Sequence, residues 1–284
     1  MLCALGVKDK IIGRDESSTL PSSILNVTVV GGSSYDPNVE VILELEPDII
    51  FADSMLTYND GAMNQLETAG IPIFISDTSD PEPEKHSNVT NVDFSCDLIS
   101  KLANIVGGEN TAEEYIQYVQ HYNNLVKERV ATLTQSDRPK VMLEWYAPYN
   151  TFVTPALDQA GGINIAENQT TYGPVLSAEF VMEQNPDVII RMIASTGHLE
   201  SDFKIMRDEI LSRPELSEVN AVKNKAVYIC DWEVRGGIYS VVGYLYWATW
   251  CQPDLFADID PNAIMTELNE MFFAESISGV YVYP

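Results

Sequence analysis

The sequence predicts an α/β protein of two Rossmann-like lobes, each with a parallel sheet, joined by one long α-helix. Short apolar strands alternate with amphipathic helices along the chain, which is the pattern of parallel α/β sheets. One predicted helix is much longer than the others, and a segment of the first half recurs in the second. We therefore expect an N-terminal lobe over residues 1–109, a connecting helix over 110–136 and a C-terminal lobe over 137–284.

The first half alternates helix and strand from residue 37 onward. Pro47-Asp48 ends the first predicted helix, and Gly70 closes the second, because glycine readily adopts the left-handed conformation that follows a helix. The predicted elements are helices at 38–45, 62–69 and about 94–105, with strands at 49–52 and 71–75.

The longest predicted helix begins at Thr111-Ala-Glu-Glu114, which has the form of a capping box. Apolar residues recur every three or four positions from Tyr115 to Leu133, as on one face of a helix. About 24 residues at 1.5 Å each correspond to a rod of roughly 35 Å. The segment that ends at Pro139 stops this helix.

The alternation of strand and helix then restarts in the second half. The predicted strands are 140–146, 187–190 and 226–230, and the predicted helices are 156–161, 178–184, 203–211, 238–251 and 264–273.

A repeat relates the two halves. Glu40 precedes Pro47-Asp48 by seven residues, and Glu179 precedes Pro186-Asp187 by the same number, so both offsets between the halves are 139 residues. The strand at 140–146 precedes the helix that ends at Gly161, whereas nothing precedes the corresponding helix that ends at Gly6. We therefore expect that a first strand lies upstream of Met1 and that the chain begins inside its first lobe.

Charge and composition exclude several classes of protein. The chain has 284 residues, 42 Asp and Glu against 16 Lys and Arg, and a net charge of −26. This charge argues against nucleic acid and anionic membrane surfaces as partners, since both require a basic face. The sequence has no apolar run of 18 residues, which predicts no membrane span. Residues 1–7 lack the charged and apolar regions of a signal peptide, so we expect that the signal segment is absent from this chain.

Cysteine and histidine usage predicts no metal site in the protein. The four cysteines are widely spaced, without zinc-type spacing, and the three histidines are scattered. The cysteines are either buried thiols or form disulfides within the halves, Cys3–Cys96 and Cys230–Cys251. The sequence also lacks GxGxxG after a strand, GxxxxGK[ST], GxSxG and HExxH. We therefore predict no catalytic residue, no resident cofactor and no enzymatic activity.

Five motifs, in this order, resemble the substrate-binding proteins of ABC importers for ferric siderophores, cobalamin and haem. They are LGVKDKIIG at 5–13, Asn38-Val-Glu40 with Pro47-Asp48, AGGINI at 160–165, Glu179 with Asn185-Pro186-Asp187, and PDLFADIDP at 253–261. The resemblance covers almost the whole chain and implies two α/β lobes around a single helix.

The resemblance implies that Glu40 and Glu179 dock onto arginines of a permease dimer, which works with ATPase subunits. Two carboxylates on one frame suit a two-fold partner, because each can pair with one subunit. The alternative is that each Glu simply stabilises the positive N-terminal end of its helix.

The ligand is expected beyond the carboxyl ends of the strands, as in other parallel sheets, and the resemblance places it in a cleft between the lobes. Arg191 and Arg235 are candidates to pair with anionic groups of a chelate; alternatively, each forms a structural salt bridge. The aromatic candidates would stack on a flat ligand or are core residues. The candidate ligand-binding residues are Tyr58, Trp145, Tyr146, Tyr149, Tyr172, Arg191, Trp232 and Arg235.

Together these features predict an extracytoplasmic solute-binding protein, periplasmic or anchored as a lipoprotein and expected to be a monomer. Its expected ligand is an Fe(III)–siderophore, with cobalamin or another corrinoid second and haem third. The competing class is a chelatase-like enzyme of similar two-lobed fold, which turnover of the ligand would reveal.

Overall fold

The structure is a computed structural model that describes residues 1–76, 89–169, 171, 173–194, 199–273 and 279–284. The chain divides into two compact units. The first comprises Met1–Ser79, Cys96–Tyr115 and Leu268–Ile277, and the second comprises Asp80–Ser95, Ile116–Glu267 and Ser278–Pro284. Parallel strands and helices dominate, so the predicted α/β class is confirmed. The predicted boundaries of lobes and connecting helix remain a prediction.

The described residues of the first unit form three two-stranded sheets. Two of them, β1–β2 and β5–β6, are parallel, and β3–β4 is an antiparallel hairpin. Helices α1 and α2 pack on β5 and β6 through a small apolar core of Ile42, Ala52, Leu56, Ala62 and Leu66. The strands are β1 (Gly13–Arg14), β2 (Thr28–Val29), β3 (Gly31–Ser33), β4 (Asp36–Pro37), β5 (Ile50–Asp53) and β6 (Ile73–Ser76), and the helices are α1 (Val39–Leu45), α2 (Asp60–Thr68) and α3 (Asn91–Val106), the last beginning in the second unit.

The long helix α4 covers Glu109–Val130, 22 residues, and the boundary between the two units falls within it. It is roughly 33 Å long at 1.5 Å per residue. The expected capping box at Thr111 is wrong, because α4 begins two residues earlier, directly after Gly108, whose φ is +104°. The helix also ends before Leu133. A capping box forms instead at Thr134 and Asp137, at the start of a short 3-10 helix.

The second unit is built on a five-stranded sheet in the order β11-β10-β9-β7-β8, parallel except for β11. All six residues of β9 are buried, which places this strand at the centre of the core. The strands are β7 (Lys140–Trp145), β8 (Ile163–Asn164), β9 (Val188–Ile193), β10 (Val227–Asp231) and β11 (Val282–Tyr283), and the helices are α5 (Pro155–Gln159), α6 (Ala178–Gln184), α7 (Glu200–Leu211), α8 (Asn220–Lys223), α9 (Ser240–Cys251) and α10 (Pro261–Phe272), which ends in the first unit.

The repeat predicted from sequence is present in the backbone. Helices α1 and α6 both have seven residues and begin 139 positions apart. Asn38 and Ser177 cap them, each side chain accepting a backbone N–H at 3.2 Å. Glu46 and Asn185 end them, both in the left-handed conformation with φ of 48°. The same local geometry therefore leads into β5 and β9.

The cysteines, all four of which lie in the described part of the chain, keep their thiols, so neither alternative disulfide forms. Burial raises the pKa of the Cys230 and Cys251 thiols to about 12. Among the residues described above, no three His, Cys, Asp or Glu side chains form a group that could hold a metal ion. The helices of the described segments include none that is long and apolar enough to cross a membrane.

Candidate ligand-binding site

Three parallel strands of the second unit end at the same edge of the sheet. In the pairing, Trp145 of β7 lies beside Met192 of β9, and Ile193 of β9 lies beside Asp231 of β10. The chain therefore brings Trp145, Tyr146 and Trp232 to the carboxyl edge of the sheet, as predicted, although the two Trp residues are 87 positions apart.

Four aromatic rings form a cluster at this edge, named here the aromatic cluster: Trp145, Tyr146, Phe152 and Trp232. The Trp145 ring lies at its centre, with centroid distances of 4.9 Å to Tyr146, 5.0 Å to Phe152 and 4.9 Å to Trp232, all edge-to-face. Tyr146 is 51% exposed and Trp232 39%, whereas Phe152 is buried. The cluster thus offers aromatic surface to solvent on a buried support, and Phe152 is a member that the sequence reading missed.

The loop after β7, residues 146–149, holds two non-glycine residues in the left-handed region. Tyr146 has φ of 50° and Tyr149 has φ of 59°. Such residues cost about 1–3 kcal/mol each and persist where neighbouring contacts enforce them. The loop folds back on its own strand through a bond from the Trp145 N–H to the Asn150 carbonyl, 2.6 Å, and the Leu176 N–H donates to the Tyr149 carbonyl, 2.9 Å.

Beneath this loop lies a group of charges, named here the ionic network: Glu144, Arg191 and Arg213, which are buried, and Glu209, whose side chain is 43% exposed. Arg213 donates two hydrogen bonds to the Glu144 carboxylate, 2.6 and 2.9 Å, and Arg191 donates to Glu209 at 2.7 Å. Burial disfavours the charge of Arg213, but hydrogen bonds to Glu144 and Glu209 outweigh it and raise its pKa. The same arginines outweigh burial at Glu209 and lower its pKa. Glu144 follows the apolar run Val141–Leu143 of β7, and this charge and Arg191 were the two sequence signals of the network.

The sequence suggested that Arg191 follows a buried strand, but the residue lies within β9. Its side chain is only 8% exposed. Its partners are the two carboxylates of the ionic network and the Tyr146 carbonyl, to which it donates at 2.8 Å. The structure thus shows the salt bridge that was the alternative to ligand pairing. Tyr149 lies against the same network, with Arg213 5.1 Å above its ring.

A short 3-10 helix, Trp232–Arg235, carries the second candidate arginine. The Asp231 carboxylate caps this helix by accepting the Glu233 N–H at 2.9 Å. Arg235 is buried, 4% exposed, and its guanidinium lies 3.7 Å above the Trp247 ring. Cation–π contact with a tryptophan is favourable in a desolvated setting. Both candidate arginines are therefore buried in the second unit.

Glu233 provides a test of the electrostatics at this edge. Burial and the neighbouring Asp231 raise its pKa from about 4.5 to about 7. An acid whose pKa is higher in the folded state destabilises the protein when it ionises; the penalty is absent below pH 4.5 and complete above pH 7. Glu233→Gln is therefore expected to raise the free energy of unfolding at pH 8 by about 1–2 kcal/mol, allowing for solvent screening, and by much less at pH 4.5.

Thermal unfolding at the two pH values measures this difference. Glu218→Gln is the control of opposite sign, because a hydrogen bond with Lys223 lowers the Glu218 pKa, and it should yield no gain at pH 8. Equal gains from Glu233→Gln at both pH values would contradict the assignment.

Tyr58 belongs to the first unit, where it ends a 3-10 helix, Ser54–Tyr58, at the carboxyl end of β5. Asp53 caps this helix by accepting the Met55 N–H at 2.8 Å. Tyr58 is 72% exposed and Met55 46%. The predicted position at a strand end is thus present. Tyr172, the remaining candidate, lies outside the described residues.

Glu40 and Glu179 occupy the same position, the second residue, of α1 and α6. Both side chains are exposed, and neither has an ion-pair partner among the residues that the structure describes. The structure thus presents two equivalent carboxylates to solvent.

Comparison with known proteins adds family relationships. A model of the family described as "Periplasmic binding protein" matches residues 1–234. A cobalamin-binding protein of Halobacterium salinarum is 28% identical over 226 residues, which cover 72% of this chain and 55% of that relative. The chain therefore spans about half the length of that relative. An ABC transporter substrate-binding lipoprotein of Bacillus subtilis, YvrC, is 24% identical over 265 residues, 90% of this chain and 77% of the relative.

Solved structures share the fold. The TroA-like periplasmic binding protein FepB of Veillonella parvula has a TM-score of 0.79 at 23% identity, covering 99% of this chain and 88% of its own. The molybdate-binding protein MolA of Haemophilus influenzae has a TM-score of 0.76 at 17% identity, and the match covers 98% of this chain and 90% of MolA. At these identities the likeness shows the fold alone, and it confirms the predicted two-lobed type.

Proposed function

The chain belongs to the periplasmic binding protein family, and we propose on this basis that it is an extracytoplasmic solute-binding protein which captures a metal chelate and delivers it to an ABC importer. The aromatic cluster carries this proposal. Trp232 and Tyr146 present ring surface at the edge where parallel sheets bind ligands, and flat apolar rings favour stacking on a planar chelate. The protein binds and releases its ligand without changing it.

The first candidate ligand is an Fe(III)–siderophore, and the second is a corrinoid. One observation favours the corrinoid: Arg191 and Arg235, the cations expected to pair with an anionic chelate, are both buried. A ligand with little net charge does not require a salt bridge with either arginine. The relative named as a cobalamin-binding protein supports the same candidate. Haem, with two propionates, is the third.

Titration of the tryptophan fluorescence tests the proposal. The probes are cyanocobalamin, a neutral ferric tris-hydroxamate, a trianionic ferric tris-catecholate and haemin. We expect saturable quenching by one of these probes, which mass spectrometry then recovers unchanged. If none of the four quenches the fluorescence, or if the bound probe is converted, the proposal fails.

Trp232→Ala is expected to weaken binding of the probe that quenches the fluorescence by about tenfold to a hundredfold. Aromatic rings that become buried against a partner are among the strongest single contributors to binding. The matched control is Trp250→Ala. Trp250 belongs to α9, and its ring stacks on Tyr228 of β10 with a centroid distance of 4.5 Å. Isothermal titration calorimetry measures both. Equal affinities for Trp232→Ala and the unmodified protein would remove the aromatic cluster from the site.

The proposed partners are a permease dimer and its ATPase subunits, with Glu40 and Glu179 as the docking carboxylates. We propose that the protein acts as a monomer outside the cytoplasmic membrane, periplasmic or anchored as a lipoprotein. The family and the lipoprotein relative support this location.

A further inference from the structure

Glu144 is a fully buried carboxylate, with 0% of its side chain exposed, next to the last residue of β7. Its oxygens accept two hydrogen bonds from Arg213, at 2.6 and 2.9 Å, and a third from the backbone N–H of Tyr149, at 2.8 Å. The Nε of Arg191 lies 3.3 Å from the same carboxylate. The buried carboxylate thus has three hydrogen bonds and a second guanidinium group beside it, which offset the cost of burying its charge.

Glu209 completes the ionic network from α7. It accepts from Arg191 at 2.7 Å and from Arg213 at 3.0 Å. Two guanidinium groups thus face two carboxylates, and the network is electrically neutral.

Three contacts of the network end on the 146–149 loop. Glu144 accepts the Tyr149 N–H, Arg191 donates to the Tyr146 carbonyl at 2.8 Å, and Arg213 lies over the Tyr149 ring. The Tyr149 hydroxyl donates to Glu215 at 2.5 Å, which fixes the outer end of the same side chain. The network therefore contacts Tyr146 and Tyr149, the two loop residues that have positive φ.

Net stability does not account for such an arrangement. Replacing a buried ion pair by apolar residues is often neutral or stabilising, because removing two charges from water costs about as much as their attraction returns. The network instead acts on the loop conformation. It holds the Tyr149 N–H, the Tyr146 carbonyl and the Tyr149 ring, and such contacts are what keep strained backbone conformations in place.

We propose that Glu144, together with Arg191 and Arg213, is a positioning residue that holds the 146–149 loop, and with it the exposed ring of Tyr146 beside Trp145, in the binding conformation before ligand arrives. The part of this inference that concerns ligand rests on the proposed function. A preformed site binds more tightly because less ordering accompanies binding.

The first test uses the ligand-free protein. In Glu144→Gln, the backbone amides of residues 145–151 are expected to exchange hydrogen at least tenfold faster than in the unmodified protein, while the amides of β9 and β10 remain protected. The matched control is Arg138→Gln, which breaks the partly buried Arg138–Asp158 salt bridge at 2.9 Å, at the opposite end of β7. Unchanged exchange over 145–151 in folded Glu144→Gln would overturn the proposal.

If Glu144→Gln does not fold, Arg213→Lys takes its place, because lysine keeps the charge but loses the two-pronged contact with Glu144. A loop that exchanges as slowly in Arg213→Lys as in the unmodified protein would equally overturn the proposal.

The second test is affinity for cyanocobalamin and for the ferric and haem probes named above. Whichever probe the unmodified protein binds is expected to bind Glu144→Gln at least tenfold more weakly, and Arg138→Gln equally well. A loosened loop with undiminished affinity would overturn the positioning role. If the unmodified protein binds no probe, the proposed function fails, and the exchange experiment alone decides whether the network holds the loop.

Discussion

Replacing both Glu40 and Glu179 by alanine is expected to weaken binding to the cognate permease by about a hundredfold or more. Hydrogen bonds that involve a charged group contribute about 1.5–3 kcal/mol each, and every 1.4 kcal/mol is a factor of ten in affinity. Each single variant should lose about tenfold, and the losses should add if each carboxylate meets a different permease subunit. Surface plasmon resonance against the permease complex, reconstituted in nanodiscs, measures the effect.

The repeat itself supplies the matched control. Glu44 and Glu183 lie 139 residues apart in the same two helices and are also exposed, so Glu44→Ala with Glu183→Ala changes the net charge by the same amount. This control pair should leave permease binding within about twofold. If both pairs weaken binding equally, the effect is general electrostatic attraction. If the Glu40 and Glu179 pair lowers only the melting temperature, the alternative of helix stabilisation holds.

Gly243→Ala is expected to destabilise the protein by about 3 kcal/mol or more and to displace the segment that carries Trp232. A Cβ at residue 243 of α9 would lie 2.3 Å from the Val234 carbonyl oxygen and 3.1 Å from the Arg235 Cα. Both are backbone atoms, so the 3-10 helix must move away from α9, and overpacking of this kind costs at least as much as the usual 1–3 kcal/mol. Thermal unfolding should show a fall of roughly 6–12 °C.

Gly61→Ala is the matched control, since Gly61 also lies within a helix, α2, and its new Cβ would meet nothing closer than the Asn59 Oδ1 at 3.6 Å. Alanine there should stabilise by about 0.5–1 kcal/mol, because it favours the helix more than glycine does. Gly243→Ala with unaltered stability would contradict the close approach of α9 to the Val234 carbonyl.

Local sequence signals predicted much of the fold. The short helices α1 and α6 were predictable because their caps and the Pro-Asp turns that follow lie within a few residues of one another. The carboxyl edge was also predictable from local signals, because Trp145 lies near the end of one predicted strand, 140–146, and Trp232 follows another, 226–230. The start of α4 was not, because Gly107 and Gly108 allow a new helix to begin at once, and this outweighs the capping form of Thr111.

The ionic network could not be predicted from the sequence. Glu144 and Arg213 are 69 positions apart, and nothing near either residue specifies the other. Arg191 was singled out as an unusual charge that directly follows a buried strand, but it lies within that strand, and the sequence could not decide between a ligand and a carboxylate as its partner. That choice depends on where α7 places Glu209, which is a consequence of packing.

The twin helices α1 and α6 also bear on how the chain acquires its structure. The capping bonds of Asn38 and Ser177 and the backbone hydrogen bonds within each helix join atoms at most four residues apart. Segments with such low contact order form on the timescale of helix growth, long before distant strands can pair. Each half thus specifies its own helix locally, but a helix of seven residues becomes stable only when it packs on its sheet.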